Sequence, residues 1–213
     1  MPRLLVLGAG GHGKVAADCA QAADKGREVI FFDDRWPGLA ACGRWPVRGT
    51  CVQIGAFAQG DDRVFVAIGR AEIRLRFLHS LALAGRNVDT IVHPRSVVSA
   101  EARLEPGTLV VAGAVINAGT RVGFGCIINT VASVDHDCDL AEGVHVCPGA
   151  HLAGNVVAGA GAWIGLGSVV REGIHIGARA CIGAGAVVVA DVPDDVVVAG
   201  VPARPLPGKS AAG

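Results

Sequence analysis

The chain has 213 residues, 51% of them hydrophobic and only 18% charged, and its 19 basic and 19 acidic side chains give a formal net charge of zero. Nothing supplies the basic stripe that neutralising nucleic-acid phosphates requires. No apolar run is long enough to span a bilayer and no secretory pattern precedes the first strand, so no nucleic acid, no membrane insertion and a cytoplasmic location are expected.

In chain order, Arg3–Leu7 reads as a buried strand, Gly8-Ala9-Gly10-Gly11-His12-Gly13 as a tight loop and Lys14 to about Lys25 as an Ala-rich helix. Glu28 to Phe32 is a second strand, ending in Asp33-Asp34. A third strand, Arg63–Ile68, leads through Gly69 into a helix on which Ile73, Phe77 and Leu81 recur every four residues. Alternating strands and helices predict a small parallel α/β domain. Its Gly-x-Gly-x-x-Gly loop, followed about twenty residues later by acids, matches a dinucleotide fingerprint. Fewer than ninety residues precede the next region, enough for one mononucleotide-binding half only. Backbone N–H groups at a helix N-terminus suit a phosphate, so a nucleotide-linked substrate fits the loop without redox chemistry.

From Thr90 to Asp191 the chain divides into seventeen six-residue blocks without an insertion, and position three of every block except that of Ala158 is Val, Ile or Leu. A period of six fits neither a helix face nor simple strand alternation, so it predicts a unit stacked on itself, a parallel β-helix. Positions one, mostly small, and three share a face and must point inward. Position six is Gly in ten blocks, as expected where the backbone turns a corner.

The block positions sort the reactive side chains. Cys126 and Cys138 fall on the inward position one and read as core. Cys147 is the one cysteine to weigh as an acyl carrier, against a structural role. Seven cysteines without a Cys-x-x-Cys pair fit neither a disulfide framework nor a thiolate cage, and no metal is expected. His136 stands in Asp135-His136-Asp137 near a corner, where Asp137 occupies a position more often Gly. A flanking carboxylate can orient an imidazole and make it more basic, as a general base needs; the alternative is a solvated acidic corner. His145, His151 and His175 occupy position two and are expected to point outward. His136 and His145, half an eighteen-residue coil apart, belong to different faces and meet only if separate prisms pack together.

The motifs Gly8–Lys14, Asp33-Asp34, Ala67-Ile68-Gly69, Ile91–Pro94, Ile128-Asn129-Thr130, Val134–Cys138, Val144-His145-Val146, Gly149-Ala150, Ala153-Gly154-Asn155 and Gly200–Arg204 together resemble the PglD and NeuD family of bacterial sugar acyltransferases. The resemblance implies a Rossmann-like domain, residues 1–88, binding a nucleotide-activated amino sugar. It implies that residues 89–213 form a left-handed parallel β-helix of hexapeptide repeats that binds acetyl-CoA and carries out catalysis. It further implies a homotrimer with active sites between neighbouring prisms. His136 matches the catalytic base and Asp137 its acidic neighbour, often Glu in relatives. Asn129 matches a residue near the acceptor sugar and His145 the histidine close to the acetyl thioester. Gly154, Gly165 and Gly167 fall to acetyl-CoA, Gly154 as an oxyanion donor. Gly10, Gly11, His12, Asp33, Asp34, Ile68 and Gly69 match the sugar-nucleotide site. The implied reaction is direct N-acetylation of a UDP-4-amino-4,6-dideoxy sugar or of GDP-perosamine, in surface-glycan or glycoprotein sugar biosynthesis. Sialic-acid O-acetylation and a non-catalytic trimeric scaffold are the alternatives.

Overall fold

The computed structural model describes residues 2–210; Met1 and residues 211–213, the end of the expected second domain, lie outside the described residues. The chain forms two compact units, Met1–Pro94 and Arg95–Gly213, so the division falls after Pro94, a few residues beyond the expected 88/89 boundary.

In the first unit β1 (Leu4–Leu7), β2 (Val29–Phe32), β5 (Arg63–Val66) and β6 (Asn87–Val88) form a parallel sheet in the order β2-β1-β5-β6. The strands β1 and β2 are wholly buried, as continuous apolar runs require when a parallel sheet is covered on both sides. Helix α1 runs from Gly11 to Ala23 and starts earlier than the sequence predicts, because extended Gly10 caps it and the Lys14 N–H already donates to the Gly10 carbonyl. Gly11, His12 and Gly13 are therefore the first helical turn and not a loop. Helix α3 (Ala71–Leu83) buries Arg74, Leu78 and Leu81, while Ile73 and Phe77 are only half-buried. The apolar stripe misplaces that face because a guanidinium occupies its centre. Between β2 and β5 lie elements too short to show periodicity: a hairpin of β3 (Ala41–Cys42) and β4 (Trp45–Pro46), a 3₁₀ turn at Cys51–Gln53 and helix α2 (Ile54–Phe57).

In the second unit each block contributes a two-residue strand at positions two and three, and every third strand stacks in parallel with a step of eighteen residues, as in Ile127↔His145, Ser133↔His151 and Asp139↔Val157. Three sheets result, one per face. Inward residues such as Ala114, Cys126, Ala132, Val144, Ala150 and Ala162 are fully buried. Position six is left-handed in every block from Gly107 to Gly185, at φ +56 to +77°. Where Gly is absent, Val131, Asp137, Asn155 and Arg179 take the same conformation at φ +56 to +60°. A left-handed residue costs roughly 1–2 kcal/mol when it carries a Cβ. The step of eighteen ends with the sequence period: Cys181 pairs Val197 and Ile176 bridges Val192, sixteen residues on. Val196–Ala199 then pairs antiparallel with Arg204–Ser210.

Candidate active site

The corner at Asp135-His136-Asp137 gathers its neighbours by stacking. The His136 Nδ1–H donates to Asp137 Oδ2 at 2.8 Å, which leaves Nε2 with its lone pair in the neutral ring. Both side chains are more than half exposed. The hydrogen bond to Asp137 raises the His136 pKa above its ordinary value; burial opposes it less strongly, and the charges of Asp135 and Asp137 each add a smaller push upward. Asp137 reaches this position because it sits in the left-handed corner, and a Cβ on Gly119, one coil below, would strike its Oδ1. Gly154, one coil above His136, seats the ring: a Cβ there would lie 2.5 Å from both Cε1 and Nε2. The His136 carbonyl accepts the Asn155 N–H at 2.9 Å. Asp135 Oδ1 accepts the His136 N–H at 2.8 Å and the Asn117 Nδ2–H at 2.7 Å.

One strand earlier, at the preceding corner, Asn129 Nδ2 lies 3.0 Å from His145 Nε2, and Asn129 Oδ1 accepts the Thr130 N–H at 2.8 Å. The block position of His145 predicts an outward side chain, and the residue is nonetheless only 6% exposed. Trp163, its register partner in the next coil, packs edge-on against the imidazole with centroids 4.4 Å apart. The pleat does turn position two away from the core, but a bulky neighbour in the same column covers it. His151 and His175 are exposed as expected. Ser133 Oγ, on the strand between the two corners, contacts His151 Nδ1 at 2.8 Å.

Gly165 and Gly167 are explained by coil geometry alone. A Cβ on Gly165 would strike the Ile182 carbonyl oxygen of the next coil, and Gly167 is a left-handed corner with open space around it. The Cys147 thiol is buried and desolvation pushes its pKa up to about 12, which removes it as an acyl carrier near neutral pH. Cys126 and Cys138 are core residues whose Sγ atoms approach the Ala141 and Ala153 carbonyl oxygens. Among the described residues no group of three or more His, Cys, Asp or Glu side chains is placed to hold a metal ion.

In the first unit the three fingerprint glycines differ. Gly8 has φ +102°, and a Cβ on Gly13 would strike the Gly8 carbonyl oxygen and lie 2.9 Å from Phe31 Cε1, so these two set the turn and the helix–strand approach. A Cβ added at Gly10 or Gly11 would meet nothing within 4 Å, so both leave the helix N-terminus open. Both carboxylates of the acidic pair already have partners. Asp33 accepts the Ala9 N–H at 2.8 Å and binds Arg35 through both oxygens, at 2.7 and 3.0 Å, and these bonds pull its pKa down to about 2, with Arg35 as the largest cause. Asp34 accepts the Cys51 N–H at 2.9 Å. Buried Arg74 donates to the Ile68 and Gly69 carbonyls at 2.8 and 2.6 Å and so shapes the loop before α3. Burial, helped by Arg74, lowers the His12 pKa to about 4, which keeps its ring neutral at pH 7. Arg35, Arg74, Asn117 and Trp163 are not anticipated by the sequence motifs. Asn117 and Trp163 leave a signal there, their eighteen-residue spacings from Asp135 and His145.

The family model described as the PglD N-terminal domain matches residues 3–81. Over 211 residues the chain is 32% identical to the GDP-perosamine N-acetyltransferase of Escherichia coli, spanning 94% of this chain and 95% of that protein. The chain belongs to the PglD/NeuD-type sugar acyltransferase family. Its fold, a Rossmann-like α/β unit followed by a left-handed parallel β-helix, is the family's. The acetyltransferase domain of PglB from Neisseria gonorrhoeae, solved with acetyl coenzyme A, superposes with a TM-score of 0.92 at 40% identity and covers 96% of this chain and 98% of that one. Perosamine N-acetyltransferase from Caulobacter crescentus, solved as a His-to-Asn variant with CoA and GDP-perosamine, gives a TM-score of 0.91 at 38% identity and 97% of each chain. Among the described residues no helix is long and apolar enough to cross a membrane.

Proposed function

We propose that this family member transfers the acetyl group of acetyl-CoA to the 4-amino group of a nucleotide-linked amino sugar, with His136 as general base. One observation carries the assignment: an exposed imidazole whose Nδ1–H is held by Asp137 while its Nε2 edge is seated over Gly154. Relatives named for GDP-perosamine support testing that sugar before a UDP-linked one.

The amine nitrogen attacks the thioester carbonyl carbon, and the proton it sheds passes to His136 Nε2. The tetrahedral oxyanion then collapses, the C–S bond breaks and the CoA thiolate leaves, recovering the proton from the imidazolium. Asp137 holds the ring in the tautomer with Nε2 free and stabilises the imidazolium that forms. A corner N–H such as that of Gly154 is the proposed oxyanion donor; such a donor contributes roughly 2.7–4 kcal/mol. Asn129 and His145, joined at the neighbouring corner, are proposed to meet the acceptor sugar and the thioester. Because the two corners flank one strand, a site that uses both is completed by a second subunit, in keeping with the expected homotrimer. Gly165 and Gly167 line the proposed path of the CoA arm.

Gly10 and Gly11, open at the N-terminus of α1, are proposed to receive the nucleotide diphosphate. Neutral His12, the Asp33–Asp34 pair, Ile68 and Gly69 form the proposed rim of that site. Thiol release from acetyl-CoA with GDP-perosamine, UDP-4-amino-4,6-dideoxy sugars and their 4-hydroxy counterparts tests the reading. Release with a 4-amino sugar and an amide product by mass spectrometry are expected; release only with the hydroxyl sugars would make this an O-acetyltransferase.

A further inference from the structure

The corner column that holds His136 extends one coil further than the reactive pair. Asn117, Asp135 and Ala153 occupy position four of blocks stacked at eighteen-residue intervals, as the register Val115↔Ser133↔His151 requires. The His136 N–H, at position five, is taken by Asp135 Oδ1 at 2.8 Å, and the same oxygen accepts the Asn117 Nδ2–H at 2.7 Å. One carboxylate oxygen is thus fixed from below by an amide and itself fixes the main chain of His136. The Asn117 hydrogen bond is also the largest influence holding the Asp135 carboxyl below its ordinary pKa, with the His136 N–H second. The second acid, Asp137, orients the ring instead. Two neighbouring carboxylates therefore divide the work, one on the backbone and one on the imidazole.

We propose that Asn117 is a positioning residue for acetyl transfer, acting through Asp135 to hold the His136 main chain so that Nε2 stays in register with the acceptor amine. The proposal rests on the reading of His136 as general base. Asn117 touches neither reacting atom, so its loss leaves binding intact and weakens only the alignment that the transition state needs. A misplacement on the scale of 1 Å is sufficient to cost on the order of a hundredfold in rate.

The test is a set of three variants assayed with acetyl-CoA and the amino-sugar substrate that supports turnover. Asn117→Ala is expected to lower kcat by on the order of ten- to a hundredfold with both KM values unchanged. Asn117→Asp keeps the shape but replaces the donor with a second carboxylate beside Asp135. Two such carboxylates share a proton at lower pH, which restores a donor. Its kcat relative to wild type is therefore expected to rise as pH falls. The ionisable groups stacked in this corner are Glu101 one coil below Asn117, Asp135, His136 and Asp137 one coil above it, and Arg171 and Glu172 three coils above it, all present in both proteins. A new charge at 117 acting only by raising the His136 pKa would make the ratio fall as pH falls, the opposite of the expected direction. Should Asn117→Ala fail to fold, Asn117→Ser, which retains a donor, replaces it and is expected to keep more activity than Asn117→Asp at neutral pH. Near wild-type kcat in the Ala or Asp variant, or a pH-independent ratio for Asn117→Asp, would overturn the positioning role. His136→Ala, run alongside, separates the two claims: collapse of its turnover with normal Asn117 variants sinks only the role of Asn117, whereas intact turnover sinks the general base and the positioning role together.

Discussion

Both units are rich in glycine, but the residues mean different things in each. In the β-helix, position six is left-handed all the way from 107 to 185, and position-four glycines such as Gly165 lie against the backbone of the next coil. Those glycines follow from stacking, so their presence does not by itself mark a ligand. The informative positions are the departures: Asp137, which accepts a left-handed corner to reach His136, and Gly154, a position-five glycine whose missing side chain is filled by the His136 ring. In the α/β unit the logic reverses. Gly8 and Gly13 are needed by the protein itself, while Gly10 and Gly11 face open space and are the ones that a ligand can use.

The sharpest way to break this comparison is to add one methyl group at matched sites. The three atoms nearest to a Cβ at Gly154 all belong to the His136 ring, so Gly154→Ala is expected to fold normally and lose on the order of a hundredfold in kcat by displacing His136. Gly165→Ala meets the Ile182 carbonyl and is expected to cost about 2 kcal/mol or more in stability, read by thermal or denaturant unfolding; the reverse pattern would refute the distinction. In the first unit, Gly13→Ala is expected to destabilise by about 1–3 kcal/mol through its contact with Gly8 and Phe31. Gly10→Ala is expected to leave stability alone and weaken nucleotide-sugar binding, measured by calorimetry. The smallest effect is at Val131, a β-branched residue at φ +57°. Val131→Gly is expected to stabilise the β-helix by about 1 kcal/mol, and no gain would show that the corner tolerates the side chain freely.

The β-helix is legible almost residue by residue, because an inward-facing position cannot drift within a stacked repeat without leaving a cavity. The inward placing of Cys126 and Cys138 and the special corner at Asp137 both follow from counting in sixes. The α/β unit is legible in order but not in detail. Its hairpin at Ala41–Pro46 has strands of two residues, too short for alternation to register, and Arg74 hides the buried face of α3 by placing a charge on it. The burial of His145 escapes the sequence for a third reason: the repeat gives the direction of a side chain relative to the core, not what its column neighbour covers, and Trp163 closes over it. Asn117 lies within reach, since residues eighteen apart stack and an Asn beneath an Asp can donate to it.

The central claim is that Asp137 makes His136 the base. The direct measurement is the pH dependence of kcat/KM for wild type, Asp137→Asn and His136→Ala, in which titration of the acceptor amine is common to all three. A base must be unprotonated, so raising the His136 pKa moves its acid limb upward. Wild type is expected to lose activity with a midpoint above the ordinary imidazole value of 6.5. Asp137→Asn is expected to shift that limb to lower pH, and His136→Ala to abolish it with at least about a hundredfold loss of rate. An acid limb unchanged across the three proteins, or near-normal turnover in His136→Ala, would contradict this assignment.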